Sequence, residues 1–424
     1  MSKFKALLGR NKLMHALMTL EGNARVCIYT EPMWGIPVNL YMPLMSMYMG
    51  ALGLDPLQIG VVATVNLLSQ MFSSFFSGAI TDKFGRRWTT AVVDFFCWAV
   101  PFLIWMNAQG FAWFIAAAVL NGTWRITENS WGLLLVEDAP PRMLVSIYSL
   151  STIAGLLSGF FSPLTSLLVG RFSLVNTMRG LFLFAFVFMV TKIILLQIFT
   201  RETAAGEKRK IQLKGRSVFH AARGGFTVLR VMLRRKPLML VLGIISCVMV
   251  IRSATDNFWP LLLTQKLGVS QEALPLLSGL RSLSMLGFFF VLSHRLNARR
   301  FYKPMLVGLV LLSGLHLMLF VLPASASWAV FPGVIAEALA LSITIPLFSS
   351  LQMLLLDHEE RARMFGFSLS FCLLVTAPFG ALNGLLTTWA LNLPMLLSFL
   401  LSLLALYFLS HLRHEMDSID FDDA

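Results

Sequence analysis

Charge is scarce in this chain. Asp, Glu, Lys and Arg make up 13% of its 424 residues, against about 25% in a soluble domain, which excludes an ordinary water-soluble enzyme or binding domain. Cysteine is scarce too. Cys27, Cys97, Cys247 and Cys372 stand apart inside apolar segments, a pattern that gives neither a disulfide framework nor a metal spacing. No G-x-x-x-x-G-K-[ST] phosphate loop occurs, so ATP-driven work within this chain is not expected. No cluster of Asp or His gathers near one end of the apolar segments, as a membrane-embedded transferase would need. No small-residue cleavage site follows the first basic residues, Lys3, Lys5, Arg10 and Lys12, so an uncleaved first span is expected.

Apolar length is abundant. Hydrophobic residues form 57% of the chain, and its mean hydropathy is +0.75. Many runs reach the ~18–20 residues that cross a bilayer. Lipid offers no water to satisfy open backbone groups, so these runs should be helices. The pattern predicts an all-α integral membrane protein with twelve spans, near 24–50, 57–80, 88–107, 111–135, 143–169, 178–200, 237–264, 270–293, 303–322, 327–355, 363–389 and 393–412. Pro32, Pro37 and Pro43 predict bends in the first span.

The formal charge of +13 would suggest nucleic acid in a soluble protein. Its placement argues otherwise. With twelve spans, 27 of the 34 Lys and Arg fall in alternate loops and termini, while the opposite loops hold only Arg171, Arg179 and Lys266. This asymmetry places both termini in the cytoplasm. Residues 1–23 form a basic segment, 24–200 a first bundle, 201–236 a basic cytoplasmic linker, 237–412 a second bundle and 413–424 an acidic tail.

The two bundles repeat. Between spans 2 and 3 the chain reads Gly78-x-x-x-Asp82-Lys83-x-Gly85-Arg86-Arg87, and between spans 8 and 9 it reads Arg295-Leu-Asn-Ala-Arg299-Arg300. After span 4 comes Asp138-x-x-x-Arg142, and after span 10 comes Asp357-x-x-x-Arg361. Glycines at 78 and 85 suit close approach and a tight turn. Asp82 can meet a helix N-terminus or a base, and Arg86 an acid of a neighbouring loop, Asp138 first.

This loop motif, the neighbouring LGLDPLQIG at 52–60 and the six-plus-six layout resemble the major facilitator superfamily over about residues 24–412. The resemblance implies two pseudo-symmetric six-helix bundles rocking about a central site, with the loop motif as a latch on the cytoplasmic side. The chain departs from the family in three places. The second copy of the motif has Arg295 and Ala298 where the first has Asp82 and Gly85. In span 5, Pro163 lies four residues after Gly159, whereas the antiporter motif of drug exporters wants proline directly after its second glycine. The family's arginine near the start of span 4 is missing.

Charges inside the membrane cost at least ~2.5–3.5 kcal/mol each and usually face a cavity or a partner. The resemblance implies that spans 1, 4, 7 and 10 line that cavity. All four carry such residues: Glu31; Arg125 and Glu128; Arg252 and Asp256; Glu337. Arg281 adds another on span 8. Spacings of three and four residues put Arg125 with Glu128, and Arg252 with Asp256, on one helix face each. Trp34, Trp124, Trp131, Asn121, Asn129 and Asn257 surround them. Lys192 is expected to snorkel toward the inside, Asp94 to meet a loop base, and His316 to serve packing.

The sequence therefore leads to the expectation of a proton-coupled (or other ion-coupled) carrier of a small anionic or zwitterionic solute. It would sit in a bacterial plasma (inner) membrane as a monomer, with the lipid bilayer as its partner and with no cofactor, resident metal or nucleic acid. Rival expectations are an exporter of hydrophobic drugs or lipids, a receptor that keeps the fold without transport, and a membrane-embedded transferase.

Overall fold

The computed structural model describes residues 17–140, 143–214, 232, 234–292, 301–356 and 361–417. The segment 1–16, Arg142, the 215–231 part of the linker, the 294–300 motif copy, Asp357 and the tail from 418 lie outside the described residues, as does the side chain of Arg361. Among the described residues every regular element is helical, and nine helical stretches are long and apolar enough to cross a membrane. The other three expected spans are interrupted or shorter, each for a readable reason.

The first is a chain of pieces: α1 (Gly22–Thr30), α2 (Pro32–Tyr41), a 3₁₀ turn at Met42–Leu44 and α3 (Met45–Ala51). Pro32 and Pro43 mark two of the joints, where a missing N–H breaks the ladder. Pro37, expected to bend the span, lies inside α2. Helix α4 (Pro56–Phe84) starts on a capping box: Asp55 Oδ1 accepts from the Gln58 amide at 2.7 Å, and the Asp55 amide donates to Gln58 Oε1 at 3.1 Å. The third span runs as α5 (Arg86–Asp94), a π turn at Phe95–Ala99 and α6 (Val100–Met106). Pro101 cannot donate to the Cys97 carbonyl four residues back, and Asn121 Nδ2 donates to it instead at 2.9 Å.

The fourth expected span divides into α7 (Phe111–Asn121) and α8 (Trp124–Val136). Side chains of α4 take up the carbonyls beside the break: Asn66 Nδ2 donates to Ala118 O at 3.2 Å and Ser69 Oγ to Val119 O at 2.6 Å. After it come α9 (Leu144–Ser158), α10 (Leu164–Phe172) beyond Pro163, α11 (Leu174–Phe199) and the linker helix α12 (Ala204–Gln212). The second half comprises α13 (Lys236–Gln265), α14 (Ala273–Leu292), α15 (Tyr302–Val321), α16 (Val330–Leu355), α17 (Arg361–Trp389) and α18 (Leu393–Asp417). Of α14, only Ala273–Phe288 counts as apolar, which is short for a span.

Helices α4 and α17 make the most extensive helix pair in the molecule. Glycines allow it: a Cβ on Gly384 would lie 2.6 Å from the Pro56 carbonyl and 3.0 Å from Leu57 Cα. A second seam joins α9 and α10 to α14, where a Cβ on Gly279 would lie 2.8 Å from Pro163.

The apolar core has a telling layout. One cluster holds Tyr48, Phe114, Phe182, Phe258, Leu263, Val334 and Met395, and so joins helices from both halves. At the opposite end of the helices, where Leu20 and Leu412 lie, two clusters stay apart. Leu20, Ile28, Leu135, Ile147 and Leu196 form one; Leu238, Phe301, Leu356, Met364 and Leu412 form the other. The first end is here called the far face, the second the terminal face. Large apolar side chains such as Leu167, Ile198, Val321, Trp328 and Trp389 point outward in the open, as lipid contact requires.

Candidate functional site

Three charge clusters sit among these helices. The first is on α8. The Arg125 guanidinium meets Glu128 Oε2 at 2.6 Å, donates from Nε to Gln70 Oε1 at 3.0 Å and stacks on the Trp124 ring at 4.0 Å. Gln70 Nε2 donates to Asn66 Oδ1 at 2.7 Å, and Asn66 Nδ2 to Asn121 Oδ1 at 3.2 Å. An amide relay thus holds one side of the arginine, while Glu128 is 49% exposed on the other. Gln70 and Asn66 escaped the sequence reading. Two amides four residues apart in an apolar span were the available signal.

The second cluster corrects an expected pair. Asp256 does not close on Arg252; it lies 3.6 Å from Arg281 Nη1, while Arg281 Nη2 donates to Glu337 Oε1 at 2.9 Å. Helical side chains lean toward the N-terminus, so Arg252 leans away from an acid one turn later, the poorer order for an i,i+4 pair. Glu337 is only 3% exposed, and a buried carboxylate needs a bonded partner. Arg252 is exposed and has no ion pair or hydrogen bond among the described residues, though its charge acts on Glu337.

The third cluster overturns the expectation for Lys192. Its ammonium does not reach for the surface; it is buried and donates to Glu31 Oε2 at 3.0 Å. Trp34 and Trp131 present their rings to it at 5.9 and 5.6 Å. Asp94, expected to meet a loop base, is buried here in the field of Lys192 and Glu31. Glu31 lies between α1 and α2. His316 is buried and bonded through Nδ1 to the Leu312 carbonyl at 2.7 Å, and all four cysteines are buried as free thiols.

The loop motif folds into a compact knot at the terminal face. Arg86 is 4% exposed. It meets Asp82 at 2.9 Å and grips Glu137 with two bonds, at 3.0 and 2.9 Å, a bidentate geometry suited to arginine. The expected partner Asp138 instead accepts from the Ala204 amide at 3.3 Å. It loses Arg86 because Glu137, one residue earlier, presents both oxygens to the guanidinium. Glu202 accepts from the backbone amides of Arg86 and Arg87 at 2.8 and 3.2 Å, a carboxylate on a helix N-terminus. Thr203 donates to Glu137, and Arg87 donates to the Gln197 carbonyl. Gly85 has φ +88° and lies against the Glu202 carboxylate. Gly78 faces open space rather than a close neighbour. Glu137, Glu202 and Thr203 were missed; an acid next to Asp138 and the Arg-Glu-Thr at the end of span 6 were the signals.

An apolar cleft of about 430 Å³ lies between α2, α10 and α11, lined by Leu40, Leu164, Leu168, Phe172, Leu181 and Phe184. None of the charged clusters lines it.

Ion pairs set within helices long enough to cross a bilayer mark a multi-pass membrane protein. The family follows from sequence: the chain matches the Major Facilitator Superfamily over residues 35–381 and belongs to it. Its fold is shared by a nucleoside transporter, NupG, crystallised as a point mutant (TM-score 0.71, 13% identity, covering 92% of this chain and 100% of that one). The human organic anion transporter MFSD10 is also similar (TM-score 0.66, 17% identity, 91% and 98% covered). So is a POT family transporter crystallised with 5-aminolevulinic acid (TM-score 0.68, 14% identity, 93% and 96% covered). A search of curated proteins finds no match.

Proposed function

We propose that this chain is a secondary transporter that carries a small anionic or zwitterionic solute across the plasma membrane by alternating access, coupled to protons. In this reading α1–α3, α7–α8 and α14 complete a set of twelve spans. Residues 24–200 and 237–412 act as two rocking bundles, and the termini lie in the cytoplasm. The observation that carries it is the divided core. One buried cluster seals both halves together at the far face, while the terminal face keeps two separate clusters. Such a molecule is closed to one side and can open to the other. Exposed charges at Glu128, Arg252 and Asp256, deep within their spans, fit a water-filled space between the bundles.

Arg252 is the cation best placed for an anionic group, since it is exposed and its ion-pairing capacity is unspent. Arg125 is shared with Glu128 and Gln70, and Arg281 is shared between two acids. Glu128 and Asp256 are the exposed acids able to exchange a proton with water while an arginine is claimed by solute. The knot of Asp82, Gly85, Arg86, Arg87 and Asp138, with Arg142, Asp357, Arg361 and Gly78, acts as the gate on the cytoplasmic side.

Purified protein in liposomes, offered a nucleoside, a dipeptide and 5-aminolevulinic acid with an imposed pH gradient, tests this reading. Gradient-driven accumulation of a charged compound supports it. Accumulation of hydrophobic dyes instead would favour the apolar cleft as a site for drug or lipid export, and flux of neither would leave the fold without transport.

A further inference from the structure

The Glu31–Lys192 pair is incomplete as a charge balance. Asp94, buried on the third span, lies within electrostatic reach of both and has no ion pair of its own among the described residues. Glu31, Asp94 and Lys192 are 9%, 2% and 4% exposed. The other groups that face them are Cys27 from α1, Cys97 from the π turn and Thr127 from α8, beside the rings of Trp34 and Trp131. Neutral thiols, a hydroxyl and two indoles supply no countercharge. Glu128, on the same helix as Thr127, is turned to Arg125. Two carboxylates therefore share one ammonium in a medium that disfavours uncompensated ions.

We infer that Glu31, Asp94 and Lys192 form a buried proton-binding site in the N-terminal bundle, one that holds a single proton in the state described here. The proton sits on a carboxylate oxygen, Asp94 first, because Glu31 already accepts from the Lys192 ammonium. On release it passes to water and leaves two anions facing one cation. Both acids stand where the helical ladder is interrupted: Glu31 at the α1–α2 joint and Asp94 immediately before the π turn. Such interruptions can shift register while the flanking turns persist. Proton loss would thus press on two joints of the bundle that the rocking motion has to bend. Glu128 and Asp256 are engaged elsewhere, with Arg125 and Arg281. The purpose of the proton site rests on the proton-coupled reading above, but its chemistry does not.

Infrared spectroscopy of the purified protein tests it without a transported solute. The carbonyl stretch of a protonated carboxyl should be present in the wild type, shift on [13C]aspartate labelling and vanish in Asp94→Asn. It should vanish in Glu31→Gln as well, because one acid then faces one base and no proton is needed. A wild type without the band, a band insensitive to aspartate labelling, or a band that persists in Glu31→Gln would overturn the inference. Labelling ties the band to an aspartate, Asp256 beside Arg281 included; a band that persists in a folded Asp94→Asn would belong to another aspartate and would overturn the inference as well. Proton movement into liposomes loaded with the pH dye pyranine, during flux of the three-compound panel, reports on coupling separately. Its absence beside an intact band would sink the coupled reading and leave the proton site standing.

Discussion

Two arginines on adjacent spans of the second half have opposite duties. Arg252 is exposed and makes no ion pair among the described residues, whereas Arg281 is shared between Asp256 and the buried Glu337. Arg252→Gln should therefore leave the melting temperature in detergent unchanged and remove saturable binding of an anionic compound from the panel. Arg281→Gln strands Glu337, and breaking a buried pair from one side costs about 3–5 kcal/mol, so thermal unfolding should fall sharply. Equal stability of the two variants would show that Glu337 finds another partner. Gly85 makes a similar case on the backbone. Its φ of +88° suits only glycine, and a side chain would run into the Glu202 carboxylate. Gly85→Ala should cost about 1–3 kcal/mol and loosen the α5 N-terminus; a calorimetric scan identical to wild type would contradict this.

Elements show how far the sequence could be read. Long apolar runs such as 303–322 and 393–412 were legible because lipid leaves the backbone one solution, and α15 and α18 cover them. The interruptions were less so. Pro37 sits inside α2, yet the break in the fourth span falls at Gly122–Thr123 without a proline. That break is met by neighbours: Ser69 of α4 bonds the Val119 carbonyl, and Asn66 adds a bond to the Ala118 carbonyl that already accepts from Gly122, and no local pattern on α7 or α8 encodes them. Charge partners were hidden for the same reason. Spacing along one helix found Arg125 with Glu128, but Lys192 with Glu31 joins residues 161 positions apart. The knot at Arg86 was legible as a motif, and its acid was assigned one residue late, to Asp138 instead of Glu137. Helix contact through glycine can be tested directly. Gly384→Val would drive a side chain into the α4 backbone near Pro56, forcing α4 and α17 apart. A lower melting temperature is expected, and an unchanged one would mean that the seam can open without loss.

At the scale of the whole molecule, the account turns on a core that is single at the far face and double at the terminal face. Rocking would exchange these conditions, joining the terminal clusters while the far cluster divides. Such a change needs bistable packing and a ligand that prefers one state. The native cysteines are all buried, so introduced thiols can be labelled selectively. Tyr148 and Val291 are exposed near the terminal face on α9 and α14, and Leu167 and Leu276 are exposed toward the far face on α10 and α14. Spin-label distances for the pairs Tyr148→Cys with Val291→Cys, and Leu167→Cys with Leu276→Cys, measured in nanodiscs across pH and with the panel compounds, test alternating access directly. The account predicts opposite changes, the terminal pair shortening as the far pair lengthens. Two distances that stay fixed under every condition, or that lengthen together, would contradict it.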